Sequence, residues 1–246
     1  MSILENSDIG TFSATKDKTV TMSRERRDAY GLPDRRDESG AWIGSWTTYE
    51  DGQRVTNYSR AYSLWKGINT RCLAGGKFQQ AGPTYAGCVN GFSDFQAFAE
   101  WAAHQPGYLE VDHQVMPFQL DKDILTPGNK VYSAETCCFV PRRINSLLTS
   151  SKAVRGDLPV GVSFHKARQK FSAYCNTGTR MKYLGLFVGP DEAHRAWQIE
   201  KSAVIKSAAA EYEQGRGANQ KVVAALASRA NALLEDAENY RITIEV

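Results

Sequence analysis

Long hydrophobic runs are missing from this chain of 246 residues. No stretch approaches the roughly eighteen apolar residues of a membrane-crossing helix, so no membrane span is expected. The start, MSILENSDIG, lacks the basic and apolar regions of a secretory leader. Cysteines number five, an odd count that excludes a fully paired disulfide framework, and none is arranged as C-x-x-C. Cys72, Cys88, Cys137 and Cys138 would suffice in number for zinc, but neighbours such as Cys137 and Cys138 point to opposite faces of a strand. Structural zinc is not expected, and these thiols read as small buried hydrophobes in a reduced, cytoplasmic protein. Histidine is scarce too, with four in all. His104, His165 and His194 fit no ligand spacing, and His113 follows Asp112 without the strand and helix that a metal hairpin would need.

Acidic residues are nearly absent from one stretch. Between Pro141 and Tyr183 stand Arg142, Arg143, Lys152, Arg155, Lys166, Arg168, Lys170, Arg180 and Lys182 against the single acid Asp157, a local charge of +8 within a chain of net charge +3. A solvated loop with edge strands accounts for such a run, and so does a surface that meets phosphates.

Periodicity divides the rest. Residues 1–57 are polar and punctuated, with Trp42, Trp46 and Tyr49 as anchors, and read as an accessory arm or layer. Tyr62, Trp65, Ile68 and Cys72 then recur at helical spacing, as do Phe92, Phe95, Phe98, Ala99 and Ala102, with Ser93 in the N-cap position. Both stripes are assigned to core. VGVSFHK, KFSAYCN and MKYLGLF alternate at a period of two, which predicts three short strands with Val160, Val162, Phe164, Phe171, Ala173 and Cys175 inward and Ser172, Tyr174 and Asn176 outward. Gly189-Pro190 followed by Asp191 and Glu192 starts a helix to about Glu213, with Ala193, Ala196, Trp197, Ala203 and Val204 inward. Val223, Leu226, Ala230, Leu233 and Ala237 mark a last helix, which packs on its own body or pairs two subunits as a homodimer.

The run QLDKDILTPGNKVYSAETCCFVPRRINSLL, residues 119–148, carries the chemistry. It reads as a strand ending on Asp121 and Asp123, a Pro-Gly-Asn turn, a return strand CCFV, and a helix opened by Pro141 that holds Asn145. If strand and helix pack, Asp121 and Asn145 converge as hard oxygen ligands suited to Mg²⁺ or Mn²⁺. On spacing alone, turn and capping roles are the commoner use of such residues.

This stretch is similar to the ββα-metal motif of bacteriophage HNH homing endonucleases, with CCFVPRRIN matching its second half. YSLWKGINTRC and YAGCVNGFSDFQAFAEW resemble the helical lead-in of the same phage proteins. GVSFHKARQKFSAYCNTGTRMKYLGLFVGPDEAHRAW resembles the ethylene-response-factor type of DNA-binding domain that such proteins carry behind the nuclease. The resemblance spans residues 58–205 and implies an α+β fold: a ββα-metal core with helical lead-in over 58–157, a three-stranded antiparallel sheet with its helix over 158–213, and a C-terminal helix over 214–246. It implies metal-dependent cleavage of double-stranded DNA, with Asp121 and Asn145 as metal ligands and Asp123 as a second carboxylate. Lys122 stands where the family has its general-base His, and Thr136 where it has the Asn that orients that His. Lysine is ordinarily protonated, so burial beside a cation would have to lower its pKa, or it would stabilise phosphorane charge instead. A binder with a decayed cutting site is the alternative. DNA contacts are expected from Arg142, Arg143, Lys152, Arg155, Lys166, Arg168, Lys170, Tyr174, Arg180 and Lys182.

Overall fold

The structure, a computed structural model, describes residues 31–80, 84–148 and 157–244. These residues form a mixed α+β protein of small sheets and six α-helices, divided into two compact units. The first holds the described residues up to Asp123 together with Gly128–Phe139; the second holds Ile124–Pro127 and Val140 onward. Among the described residues no helix is long and apolar enough to cross a membrane.

The first unit opens with two antiparallel pairs, β1 (Arg35–Arg36) with β2 (Trp42–Ile43) and β3 (Ser45–Glu50) with β4 (Gln53–Tyr58). Asp51 and Gly52 link β3 to β4, both at positive φ, the geometry a two-residue hairpin turn demands and Asp-Gly supplies. These strands are tied down. Trp42 donates from Nε1 to Glu100 and from its backbone N–H to Gln96, while Arg36 lies over the Trp42 ring and pairs with Glu100. Residues 31–57 are thus a folded layer and not a loose arm.

Helix α1 (Arg60–Cys72) starts where Ser59 accepts from the Tyr62 N–H and Asp34 accepts from the Ala61 N–H, satisfying first-turn donors that have no helical partner. A short α2 (Lys77–Gln80) follows, then β5 (Val89–Asn90) and α3 (Phe95–Ala103). The cap of α3 is Asp94, which accepts from the Ala97 N–H, one residue beyond the expected Ser93. Phe98, its neighbours Trp65, Phe92 and Trp101, and then Phe139 and Tyr108 form a chain of ring contacts with centroids 5.1 to 5.9 Å apart. Edge-on, tilted and stacked pairs of this kind contribute beyond the area they bury.

Arg60 is enclosed in that core. Its guanidinium donates to the Tyr108 carbonyl at 3.0 Å and the Phe118 carbonyl at 2.8 Å, against the faces of Tyr108 and Phe139. The Tyr108 hydroxyl donates in turn to Asp34. Arg60→Met keeps the volume and strands both carbonyls, so it should lower stability by about 3 kcal/mol or more; a urea midpoint unchanged from wild type would show that water replaces the guanidinium.

The second unit begins with α4 (Arg142–Leu147) and continues through β9 (Val162–His165), a 3-10 turn at Lys166–Arg168, β10 (Lys170–Asn176) and β11 (Met181–Phe187). The sheet order is β11-β10-β9, antiparallel throughout, which matches the three strands read from period-two alternation. Two helices, α5 (Pro190–Glu213) and α6 (Gln220–Glu238), complete it. Val162, Ala173 and Ala193 pack together with Phe171, Leu184 and Phe187 beside them. Phe164, expected inward, is exposed and leans on Phe171 at the sheet edge.

Helix α5 buries a face that hydrophobicity concealed. His194, Gln198, Lys201 and Ser202 are buried along with Trp197 and Ile205, whereas Ala203, expected inward, is exposed. Each polar member has a partner: Ser202 donates to the Ala230 carbonyl on α6, Gln198 to the Arg241 carbonyl and Thr243, and Lys201 to the Asn176 carbonyl. His194 sits between the Val160 carbonyl and the Thr243 N–H. Satisfied polar groups bury at little cost, which is why an apolar stripe failed to mark the face. On α6, Val222, Leu226, Ala230, Leu233 and Ala237 are buried, with Val222 in the inner place expected of Val223. That stripe packs on α5 of the same chain.

Candidate nucleic-acid interface and carboxylate site

The alternation of β10 sends Phe171, Ala173 and Cys175 toward α5 and the even-numbered residues to the other side. Across the hairpin, Tyr174 stands opposite Tyr183, Cys175 opposite Lys182 and Asn176 opposite Met181, whereas Phe171 stands opposite Phe187. Those two registers differ by one residue, and the difference is a bulge at Leu184-Gly185, with Gly185 at φ 136°. Glycine permits that backbone and the bulge absorbs the extra residue. Its consequence is that Tyr183 and Met181 join Tyr174 on the outer face, while Lys182 turns to the helix side.

On that outer face Tyr174 is 39% exposed, Tyr183 53% and Met181 61%. The two tyrosine rings lie 5.2 Å apart at 47°. Lys170, opposite His165 on β9, extends the face, and both are exposed. Lys166 and Arg168 project from the β9–β10 turn, which closes on Gln169 at φ 49°, and Arg180 projects from the β10–β11 turn. From Leu158 to Pro190 the sequence contains no Asp or Glu.

Several expected contacts are placed elsewhere. Lys182 pairs with Glu200 of α5 at 2.8 Å, because its strand partner is the inward Cys175. Arg143 pairs with Glu211 and packs its stem against Gly178, so α4 is clasped to the hairpin instead of offering that guanidinium to a ligand. Ser172, expected outward, is buried and hydrogen-bonded to Ser163. Asn176 accepts from the Gly178 N–H and donates to the Ser146 carbonyl. Arg142 is exposed on α4. Lys152 and Arg155 lie outside the described residues.

The carboxylates sit in the first unit at the end of β6 (Gln119–Asp121), which pairs with β8 (Cys138–Val140). The intervening segment contributes β7 (Val131–Tyr132), which runs parallel to β5. Asp121 accepts from the Asp123 N–H, folding the chain back at the strand end. Lys122 is swallowed: its side chain is 5% exposed and its ammonium donates to Asp123 at 2.8 Å. Burial works to raise the Asp123 pKa, and the Lys122 ammonium, by hydrogen bond and charge, overrides it and holds the carboxyl below its ordinary value. Asn129 closes the loop, donating to the Lys122 and Val131 carbonyls and accepting from the Val131 N–H. Thr136 donates to the Val131 carbonyl and accepts from the Ser133 N–H. Asn145, on α4, belongs to the second unit.

No family model, no curated protein and no solved structure matches the chain.

Among the described residues no group of three or more His, Cys, Asp or Glu is assembled for a metal. The cysteines are free thiols, and His113 sits exposed in a turn whose backbone Asp112 holds by accepting from Gln114 and Met116. Lys122, a candidate base by position, is the internal counter-ion of Asp123. The sheet face also gains two residues that sequence reading passed over, Tyr183 and Met181. Counting outward from the turn around Gly178 would have paired Tyr174 with Tyr183, so the signal was present.

Beside the carboxylates, Cys137 is buried, and burial pushes its thiol up to about 12. An acid whose folded pKa lies above its unfolded value stabilises fully below the unfolded pKa, here 9.0, and loses that contribution as pH climbs toward the folded value. Stability should therefore fall above pH 9, and Cys137→Ala should remove about 2 kcal/mol of the loss measured between pH 8 and pH 11 by urea denaturation. Equal alkaline losses in both proteins would contradict this.

Proposed function

We propose that the chain binds double-stranded DNA through the outer face of the β9–β10–β11 sheet, as the reading module of a protein of the phage HNH endonuclease type. One observation carries this reading: a three-stranded face with two exposed tyrosines at its centre and Lys166, Arg168, Lys170 and Arg180 around it, in a stretch free of acids. A short sheet of this width enters the major groove, with the cations around it on the flanking phosphates. The test is retention of a random-sequence duplex pool by the purified chain, followed by footprinting of recovered duplexes. No retention at low salt would end the proposal.

A second reading, metal-dependent hydrolysis of DNA phosphodiester bonds, is favoured by Asp121 and Asp123 side by side at a strand end, with strand β8 and helix α4 following in sequence. The donor set fits Mg²⁺ or Mn²⁺ in kind. Hard carboxylate oxygens, one or two in number, suffice where water and substrate phosphate complete the shell. Asp121 and Asp123 would hold the ion, which supplies Lewis-acid charge at the phosphate. Lys122 keeps Asp123 ionised and fixed. The resemblance assigns Asn145 as a further ligand; the reading is built on the two carboxylates that one unit supplies. Incubating the chain with its recovered duplex and Mg²⁺ or Mn²⁺ separates cutter from binder. Cleavage lost in Asp121→Asn with binding retained supports the enzyme, whereas a footprint without products under either metal leaves a DNA-binding regulator or site competitor.

A further inference from the structure

The outer sheet face is apolar in the middle and cationic at the edge, and that arrangement narrows what it reads. Tyr174 and Tyr183 are cross-strand partners, and Met181 lies two residues from Tyr183 on the same strand and face. All three are substantially exposed, so the patch is covered by no other part of the described chain. Cations alone would explain phosphate binding. They do not explain why the β10–β11 hairpin, between the cations of the two turns, shows a thioether and two ring surfaces to solvent, because each exposed apolar group gains only when something apolar covers it. In the major groove one base carries an apolar projection, the C5-methyl of thymine. Guanine, cytosine and adenine present hydrogen-bonding edges there, and beside the two tyrosine hydroxyls no amide, carboxylate or guanidinium among the described residues stands free in this cluster to pair with them. Asn176, the nearest amide, is held by the Gly178 N–H and the Ser146 carbonyl.

We infer that Tyr174, Tyr183 and Met181 form a thymine-methyl reader, so that the duplex bound by this sheet carries A·T pairs at the centre of its footprint with phosphate contacts from Lys166, Arg168, Lys170 and Arg180 around them. This inference rests on the proposed binding of duplex DNA. The bulge at Leu184-Gly185 makes it possible, since strict alternation back from Phe187 would turn Tyr183 and Met181 toward the helix and Lys182 outward.

The experiment uses the full chain and a duplex recovered from a random-sequence pool, resynthesised with deoxyuridine in place of thymine and otherwise identical. Losing a buried methyl weakens binding by about fourfold, so the uracil duplex should bind about fourfold more weakly for each thymine contacted. In Tyr174→Ser/Met181→Ser/Tyr183→Ser the two duplexes should bind alike, with the salt dependence of binding preserved because no cation has changed. These residues are exposed, and an unchanged thermal melt checks that the variant folds; the wild-type comparison needs no variant. Equal wild-type affinity for the two duplexes, a recovered duplex without A·T pairs in its footprint, or tighter binding of the corresponding single strand overturns the reader. Failure to bind any duplex would instead overturn the parent proposal.

Discussion

Replacing Lys166, Arg168, Lys170 and Arg180 together by Ala is expected to lower duplex affinity about a thousandfold at roughly 0.15 M salt. Each phosphate contact contributes about 0.9 to the slope of log affinity against log salt, so four lost contacts should flatten that slope by about 3.6. Integrated from the roughly 1 M reference down to physiological salt, that slope change gives the thousandfold loss. All four side chains are exposed on the outer face or its flanking turns, and none is inside the packed core, so folding should be spared. Arg143→Ala and Lys182→Ala serve as internal controls. Their partners are Glu211 and Glu200, and removing them should leave the slope in place. Filter binding across a salt series checks both claims. A quadruple variant with the wild-type slope would mean that DNA, if bound, is held elsewhere.

Gly161→Ala is expected to unfold the second unit. Gly161 sits at φ 80°, and a Cβ there would overlap Cγ and Cδ1 of Trp197. The left-handed backbone alone costs a non-glycine residue about 1–2 kcal/mol. Steric overlap adds to it, because Trp197 is buried and stacked on His194 and has nowhere to move in a close-packed interior. A combined loss of about 4 kcal/mol or more approaches the whole stability of a small domain. Circular dichroism and urea denaturation read the result. Gly161→Ala should cost less in a Trp197→Leu background than in wild type, since the overlap is gone there and the backbone strain remains. A single variant as stable as wild type would show that the turn before β9 shifts freely.

Local patterns in the chain set much of this protein. Period-two alternation fixed the three strands of the second unit, Gly189-Pro190 fixed the start of α5, and three- and four-residue spacing fixed α1, α3 and α6, because each signal reports which face of one element meets a core. The acid-free basic stretch was legible as well, since charge is counted without coordinates. What the sequence left open was how elements meet. Arg143 and Lys182 counted as free cations until α5 brought Glu211 and Glu200 to them, and the pairing of a buried Lys122 with Asp123 was not legible in the spacing. Gln198, Lys201 and Ser202 looked like a solvated helix face until specific carbonyls satisfied them. Most telling is Tyr183: alternation read back from Phe187 buries it, pairing read out from the turn exposes it, and the bulge at Leu184-Gly185 decides. A single chain specifies each strand's period locally, but the register between strands and the partner of each charge depend on residues distant in sequence, which only the tertiary structure brings into contact.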